Sequence, residues 1–242
     1  GVDQMTGNSL YVFDEQDYKN YYRTGATPYT EAELDAMWAN EQKNAANDGT
    51  LVTINGKTYT TSSTYATRSW NGSAIPTVFG SVGTQLSWKG INFGLLFTYS
   101  LGGKVMDNIY SNLMSVNSTN SAYHVDALNA WVEAPAGMTA DSPNRIDPNG
   151  VPQNNPTTVQ DNNYTSTRFL TNASWLVLKN IMISYDLPKA WVNKLQLQNI
   201  NVGFTVDNLF TVTARKGLNP QQTYSGVQSD LGSFVTTRVF SF

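Results

Sequence analysis

Within the segment 199–210, residues 200–207 alternate strictly between apolar residues and polar or small ones. Its apolar side carries Ile200, Val202, Phe204 and Val206. This period of two predicts a strand with one apolar face and one polar face. A strand of about 10 residues, tilted by about 45°, also matches a hydrocarbon layer about 30 Å thick. The pattern therefore fits a membrane-spanning strand as well as a strand of a soluble sandwich.

Two other segments, 77–88 and 91–100, alternate in the same way, and Lys89 and Gly90 separate them. A two-residue turn between them would place Trp88 opposite Ile91. That register aligns the apolar sides of the two strands and covers Gly80 with the ring of Tyr99. Trp88 and Tyr99 would then lie at opposite ends of the hairpin, where a membrane barrel has its aromatic girdles.

Two further strands are predicted at 174–186 and 234–242. In the first, Leu176 and Leu178 are out of phase with the apolar residues that follow them. A bulge at Lys179 and Asn180 would restore the phase. The alternative is a different register in which Lys179 points into a lumen.

Long polar segments at about 1–76, 101–170 and 213–233 are predicted to be loops with local structure. The first should contain a helix at about 31–43, with a capping box that begins at Thr30, and a hairpin that turns at Asn55 and Gly56. Helical spacing predicts two short helices, one over 106–114 and one over 125–132.

These patterns assign the chain to the all-β class, with five antiparallel strands and connections that alternate between long and short. Such alternation is typical of membrane barrels, of which the smallest have about eight strands. Five strands would therefore be part of a larger barrel that other residues or chains complete. The aromatic side chains expected to face lipid are Trp88, Phe93, Phe97, Tyr99, Tyr185 and Phe204.

The composition of the 242 residues narrows the possible functions. The chain has no cysteine, which excludes disulfides and thiolate metal sites. A net charge of −3 without a basic patch argues against a nucleic-acid partner. No basic segment followed by an apolar one opens the sequence, so it should start after any export signal or inside a longer protein.

The sequence predicts no catalytic residues, no cofactor and no metal site. His124 is the only histidine and is interpreted as a loop residue. Asp141, Asp147 and Asp161 could bind calcium, but they lack an EF-hand spacing and are interpreted as solvated acids. Lys104, Arg145, Arg168 and Arg215 are interpreted as solvated loop charges. Trp70, Tyr123 and Trp131 are candidates for stacking on a sugar ring, with packing between loops as the alternative role.

Several segments resemble the C-terminal end of SusC/RagA-type TonB-linked outer-membrane proteins. They are 1–11, 70–76, 98–110, 165–188 and 206–220, and the motifs LKNI, SYDLP and DNLF are the most specific among them. The chain departs from that family at Gly217–Pro220, which lacks the usual acidic residue. The family's last strand also runs further than this chain does, which leaves open whether Phe242 is the C-terminus.

The resemblance implies the C-terminal part of a transmembrane β-barrel of about 22 strands whose lumen holds a plug. It implies the outer membrane of a Gram-negative cell, import of oligosaccharides with energy delivered by TonB, and a SusD-like lipoprotein that caps outward-facing loops. A peptide importer of the same family is an alternative. A soluble β-sandwich carbohydrate-binding module is another, and a surface β-hydrolase is disfavoured because no acid–base pair is evident.

Overall fold

The computed structural model describes residues 1–25, 29–115, 122–155, 162–163, 166–214, 216–222, 226–228 and 236–242. The chain divides into two compact units. The loop unit contains Gly1–Asn71 and Asn108–Phe169, and the sheet unit contains Gly72–Asp107 and Leu170–Phe242. Within the described ranges, no helix is long and apolar enough to cross a membrane.

A few helices are interspersed among many strands along the chain. The helices are α1 (Glu15–Arg23), α2 (Glu31–Asn47), α3 (Asn108–Met114) and α4 (Lys189–Val192). The shorter strands are β1 (Val2–Asp3), β2 (Tyr11–Val12), β3 (Leu51–Ile54), β4 (Lys57–Thr60), β7 (Lys104–Asp107), β8 (Ile146–Asp147), β9 (Leu170–Asn172), β12 (Val227–Gln228) and β13 (Val239–Ser241). The longer strands are β5 (Val78–Trp88), β6 (Ile91–Leu101), β10 (Trp175–Asp186) and β11 (Asn201–Thr213).

The main sheet of the sheet unit is antiparallel, with the strand order β13-β11-β10-β6-β5. Lys89 and Gly90 both have positive φ, at 48° and 85°, as the two central residues of a type I′ hairpin turn require. The predicted register is confirmed, since Trp88 pairs with Ile91 and Gly80 pairs with Tyr99. A Cβ atom at Gly80 would lie 3.1 Å from the Tyr99 hydroxyl oxygen, so this ring does cover the glycine.

The predicted bulge in β10 is confirmed. The register of β10 shifts between Leu178 and Asn180 against both neighbouring strands. Against β6, Lys179 is the inserted residue, whereas against β11 the extra residue lies in β11, where Asn208 and Leu209 stand opposite Lys179. A second irregularity, in β11, was not predicted: Asn208 adopts a left-handed conformation with φ of 53°. The Lys179 ammonium donates a 2.9 Å hydrogen bond to the Asn208 side-chain oxygen, so the two irregularities lie side by side.

Two elements of this unit differ from their predicted bounds. The helix predicted over 106–114 begins only at Asn108, because Met106 lies in β7, which pairs with β9 and β12. The strand predicted at 234–242 is seen as β13, which pairs with β11 through Phe240 and Val206. Residues 234 and 235 of that prediction lie outside the described ranges.

One hydrophobic cluster of the loop unit forms between α2 and the segment around Phe13. The capping box is confirmed: Thr30 accepts from the Glu33 backbone N–H, and the Glu33 carboxylate accepts from the Thr30 N–H. Phe13 packs on Trp38, with ring centroids 4.7 Å apart, and both are buried with Ala45. The predicted hairpin is β3–β4, whose turn residues Asn55 and Gly56 have φ of 51° and 77°.

A buried ion pair joins the start of the loop unit to residue 145. Arg145 donates from Nη2 and Nε to the two carboxylate oxygens of Asp3, at 2.8 and 2.9 Å. The interpretation of Arg145 as a solvated charge was therefore wrong, because β1 pairs with β8 and brings these two residues together. Although burial raises the pKa of Asp3, the hydrogen bonds from Arg145 and from the Met5 N–H outweigh it and hold that pKa below its usual value.

The helix predicted over 125–132 is a shorter 3₁₀ helix at Val125–Asn129. His124 caps it, since the Asp126 N–H donates to His124 Nδ1 at 3.1 Å. The loop position predicted for His124 thus has a structural use.

Candidate functional site

The main sheet has one apolar face that continues across its strands. The observed register places the apolar residues of each strand beside those of the next. The larger members of this face are Val82, Leu86, Trp88, Ile91, Phe93, Leu95, Phe97, Tyr99, Leu176, Leu178, Ile181, Ile183, Tyr185, Val202, Phe204, Val206, Phe210, Val212 and Phe240.

Much of this apolar face is exposed. Trp88 is 67% exposed, Val82 62% and Leu86 61%, and these side chains belong to the outer strand β5. Towards the middle of the sheet, neighbouring rings and aliphatic chains bury Leu178 and Val206. A sandwich would cover such a face with a second layer, so the exposure argues against the soluble module considered above.

The six aromatic residues predicted to face lipid all lie on this face. Trp88 and Tyr185 lie at the end with the Lys89–Gly90 turn, and Tyr99 lies near the opposite end. The positions between are held by Phe93, Phe97 and Phe204. The face thus has aromatic residues at both ends and aliphatic and phenyl side chains between them, as the wall of a membrane barrel would.

The opposite face carries a row of hydrogen bonds across four strands at the same end. Ser87 donates to Asn92 at 2.7 Å, and Asn92 donates to one oxygen of Asp186 at 2.9 Å. Asn201 donates to the other oxygen of Asp186 at 2.8 Å. The predicted hairpin register already placed Ser87 opposite Asn92, but the links to Asp186 and Asn201 depend on the register of the other two strands.

The three candidates for substrate contact lie in the loop unit. Trp70 is 70% exposed; its indole N–H donates to the Thr24 hydroxyl at 2.8 Å and its ring stacks on Tyr21. Tyr123 is 39% exposed. Trp131 donates from its indole to the Gln4 carbonyl at 2.9 Å. Trp70 thus packs beside α1, whereas Trp131 packs on the N-terminal segment.

Gly7 explains the position of Trp131. A Cβ atom at Gly7 would lie 2.2 Å from the indole ring, so only glycine leaves room for the ring against the backbone there. A shallow open depression of about 410 Å³ borders the ring. Its lining is Ala127, Leu128, Ala130, Val132, Gln153 and Asn154 together with Trp131.

The described ranges contain no group of three or more acidic or histidine side chains placed to bind a metal ion. Asp147 accepts hydrogen bonds from the Asn149 N–H at 2.9 Å and from the Gln4 amide at 3.4 Å. Asp161, the third of the candidate calcium ligands, lies outside the described ranges.

Known proteins resemble this chain over parts of their length. No family model matches it. The TonB-dependent receptor P3 of Formosa agariphila is 26% identical over 166 residues, which are 65% of this chain and 15% of that protein. The RagAB peptide transporter has a TM-score of 0.55 and 23% identity, covering 94% of this chain and 20% of that one. The RagAB peptide importer in its 'open-open' state has a TM-score of 0.52, 22% identity and coverage of 94% and 19%.

The chain therefore spans about a fifth or less of the length of the proteins that it matches. It shares the fold of part of RagAB. Its resemblance to SusC/RagA-type TonB-linked proteins, first seen in the sequence motifs, is confirmed.

Proposed function

We propose that this chain forms the C-terminal part of the wall, with its outer loops, in a non-enzymatic TonB-dependent importer of the outer membrane. The observation that carries the proposal is the exposed apolar face, continuous over five antiparallel strands. Covering such a face with acyl chains satisfies the hydrophobic effect without a second protein layer.

The edges of the sheet support a larger barrel. Among the described residues, β5 pairs only with β6. Unpaired backbone groups in hydrocarbon cost several kcal/mol each, so lipid-exposed edges must be closed by further strands. We infer that the remaining strands of a barrel of about 22 lie elsewhere in the full protein, with the plug and the segment that contacts TonB.

The lengths of the connections support one orientation of the sheet in the membrane. Lys89–Gly90 and residues 187–200 are the short connections at one end, and residues 102–174 and 214–238 are the long ones at the other. Barrels of this kind have short periplasmic turns and long extracellular loops. The loop unit would then face outward, where a SusD-like lipoprotein would cap it.

The proposed cargo is an oligosaccharide, with Trp70, Tyr123 and Trp131 as the candidate contacts. The exposed, hydrogen-bonded indole of Trp70 supports a stacking role, because its orientation is fixed before any ligand arrives. A peptide is the second candidate cargo, since RagAB is named as a peptide importer.

The test uses the full-length protein. We expect it to fractionate with outer membranes, to need detergent for extraction, and to migrate differently on a gel when unheated, as a closed barrel does. If the 242-residue chain were instead a stable monomer in water without detergent, the proposal would be wrong.

The identity of the cargo is tested by measuring the uptake of labelled oligosaccharides and of labelled peptides, in cells that have TonB and in cells that lack it. We expect Trp70→Ala to weaken oligosaccharide binding roughly tenfold, as the loss of a central aromatic contact does. Tyr29→Ala is the matched control, because Tyr29 is an exposed aromatic residue of the loop unit that is not a candidate contact. Uptake of peptides alone would favour the second cargo.

A further inference from the structure

The connection between β10 and β11 exposes three large apolar side chains. Trp191 is 62% exposed, Leu195 63% and Leu197 50%. By contrast, Val192 is 1% exposed, so the segment is held to the protein by one side only. Exposed apolar residues clustered in ten residues of chain call for a partner other than water.

The backbone of this connection is well defined. The N–H groups of Trp191 and Val192 both donate to the Pro188 carbonyl, at 2.9 and 3.2 Å. Gln196 reverses the chain with a left-handed φ of 57°. The Leu197 N–H then returns to the Val192 carbonyl at 3.3 Å. The apolar side chains therefore project from a closed, hydrogen-bonded turn.

The connection lies at the Lys89–Gly90 end of the sheet. The Asp186 N–H donates to the Gly90 carbonyl at 2.8 Å, and the Leu187 N–H donates to the Ile200 carbonyl at 2.9 Å. This is the end at which Trp88 and Tyr185 close the apolar face. The exposed residues thus lie beyond the ends of the strands at this end of the face.

Three lysines lie at this end: Lys89, Lys189 and Lys194. The Lys89 ammonium sits 4.9 Å from the centre of the Trp88 ring. The nearby acid, Asp186, already accepts hydrogen bonds from Asn92 and Asn201 on the opposite face. This end therefore combines apolar side chains with cations, the composition of a segment that lies in a membrane interface.

We propose that residues 188–197, with Lys89, form an interfacial anchor that binds anionic phospholipid headgroups at the short-turn end of the wall. Trp191, Leu195 and Leu197 enter the boundary between headgroups and acyl chains. The lysine ammonium groups reach the phosphates while their stems lie along the apolar surface. The inference rests on the proposed function, because it requires the apolar face to be in lipid.

The first test measures how deeply Leu195 lies in the bilayer. Spin labels are placed at Leu195→Cys, Val82→Cys and Leu128→Cys in a cysteine-free background of the full-length protein, in nanodiscs of phosphatidylethanolamine and phosphatidylglycerol. Val82 marks the wall, and Leu128, 84% exposed in the loop unit, is the matched control. We expect the ratio of oxygen to nickel-chelate accessibility at Leu195 to fall between the values at Val82 and Leu128.

Either of two results at Leu195 would overturn the anchor while Val82 remains in lipid. A ratio equal to that of Leu128 would place the turn in water, and protection from both reagents would place it under another part of the protein. If the Val82 label itself were outside the lipid, the proposed function would fail together with the anchor.

The second test measures how much the lysine charges contribute to the affinity for anionic lipid. The affinity of the detergent-purified protein for phosphatidylglycerol should fall roughly fivefold for each lysine removed in Lys189→Gln and Lys194→Gln. Lys43→Gln and Lys57→Gln, two exposed lysines of the loop unit, are the matched controls and should leave it unchanged. If the control variants lost as much affinity for phosphatidylglycerol as the anchor variants, the attraction would be nonspecific and the anchor would be contradicted.

Discussion

The two units use the same kinds of apolar side chain in opposite ways. In the loop unit, Leu34 is 0% exposed and Trp38 is 5% exposed, because α2 packs its apolar stripe on Phe13 and the adjoining segments. In the sheet unit, Val82 and Leu86 are both more than 60% exposed. The loop unit thus has its own dry interior, whereas the sheet presents large apolar side chains at its surface. The contrast supports the proposal that water surrounds one unit and lipid the other.

Polar groups differ between the units as well. The loop unit buries a full ion pair between Asp3 and Arg145. The sheet satisfies the Asp186 carboxylate with two neutral amides, from Asn92 and Asn201, on a face that remains partly open. A buried pair is costly to break because one charge is left without its partner. The loop unit should therefore be the more sensitive of the two to a lost charge.

Arg145→Ala should produce the largest effect. It leaves the Asp3 carboxylate buried and unpaired, which costs about 3–5 kcal/mol. We expect faster hydrogen exchange and proteolysis at 1–10 and 140–155 in the full-length protein, with no change in β5 and β6. The exposed Arg68→Ala is the control and should change stability by less than about 0.5 kcal/mol. Equal protection from exchange and proteolysis in the two variants would show that the Asp3–Arg145 ion pair contributes little to stability.

Val82→Lys tests the other side of the comparison. A lysine on the lipid face near the middle of a barrel wall costs about 2–4 kcal/mol, whereas one on the inner face is tolerated. Ser81→Lys, the adjacent residue on the opposite face of β5, is the matched control. Chemical unfolding of the full-length protein in lipid should show the loss for Val82→Lys alone.

Equal stability of Val82→Lys and Ser81→Lys in lipid would mean that the two faces of β5 do not differ in their surroundings. The native side chains of Val82 and Ser81 are both exposed in the structure. In water, therefore, neither lysine should cost more than the other. Similar stability of the two variants in lipid would contradict a lipid-facing assignment of Val82.

The features that the sequence predicted are local ones. The β5–β6 register followed from a two-residue turn and a period of two, and the bulge at Lys179 followed from the loss of phase within one strand. The capping box needed only the spacing of Thr30 and Glu33. In each case the interacting residues are neighbours in sequence or are aligned by a tight turn.

The features that were missed depend on contacts distant in sequence. Asp3 and Arg145 are 142 positions apart, and no periodicity relates them. Met106 has helical spacing with the residues after it, but pairing with Leu170 and Val227 extends it into a strand. Tertiary pairing overrode a short helical pattern there. The row through Asp186 likewise needed the alignment of four strands.

Acidification should weaken the loop unit through Asp3. Its folded pKa lies below the usual value, so the unfolded chain binds the proton more readily, and stability falls as pH drops below about 4. Hydrogen exchange at 1–10, measured from pH 6 downward, should accelerate in that window. In Arg145→Ala this acid sensitivity should shrink, since the hydrogen bonds that lower the pKa are lost. An unchanged profile in the variant would mean that another group titrates.

Thr30→Ala should have the smallest effect, confined to the loop unit. The change removes the hydroxyl that caps α2, and such losses cost about 0.5–2 kcal/mol. Hydrogen exchange should increase in the first turn of α2 while β10 and β11 keep their protection. Thr30→Ser retains the capping oxygen and should restore the protection. If Thr30→Ala instead loosened the sheet strands to the same degree, the two units would share one cooperative transition, and their contrast in burial would not be a contrast in stability.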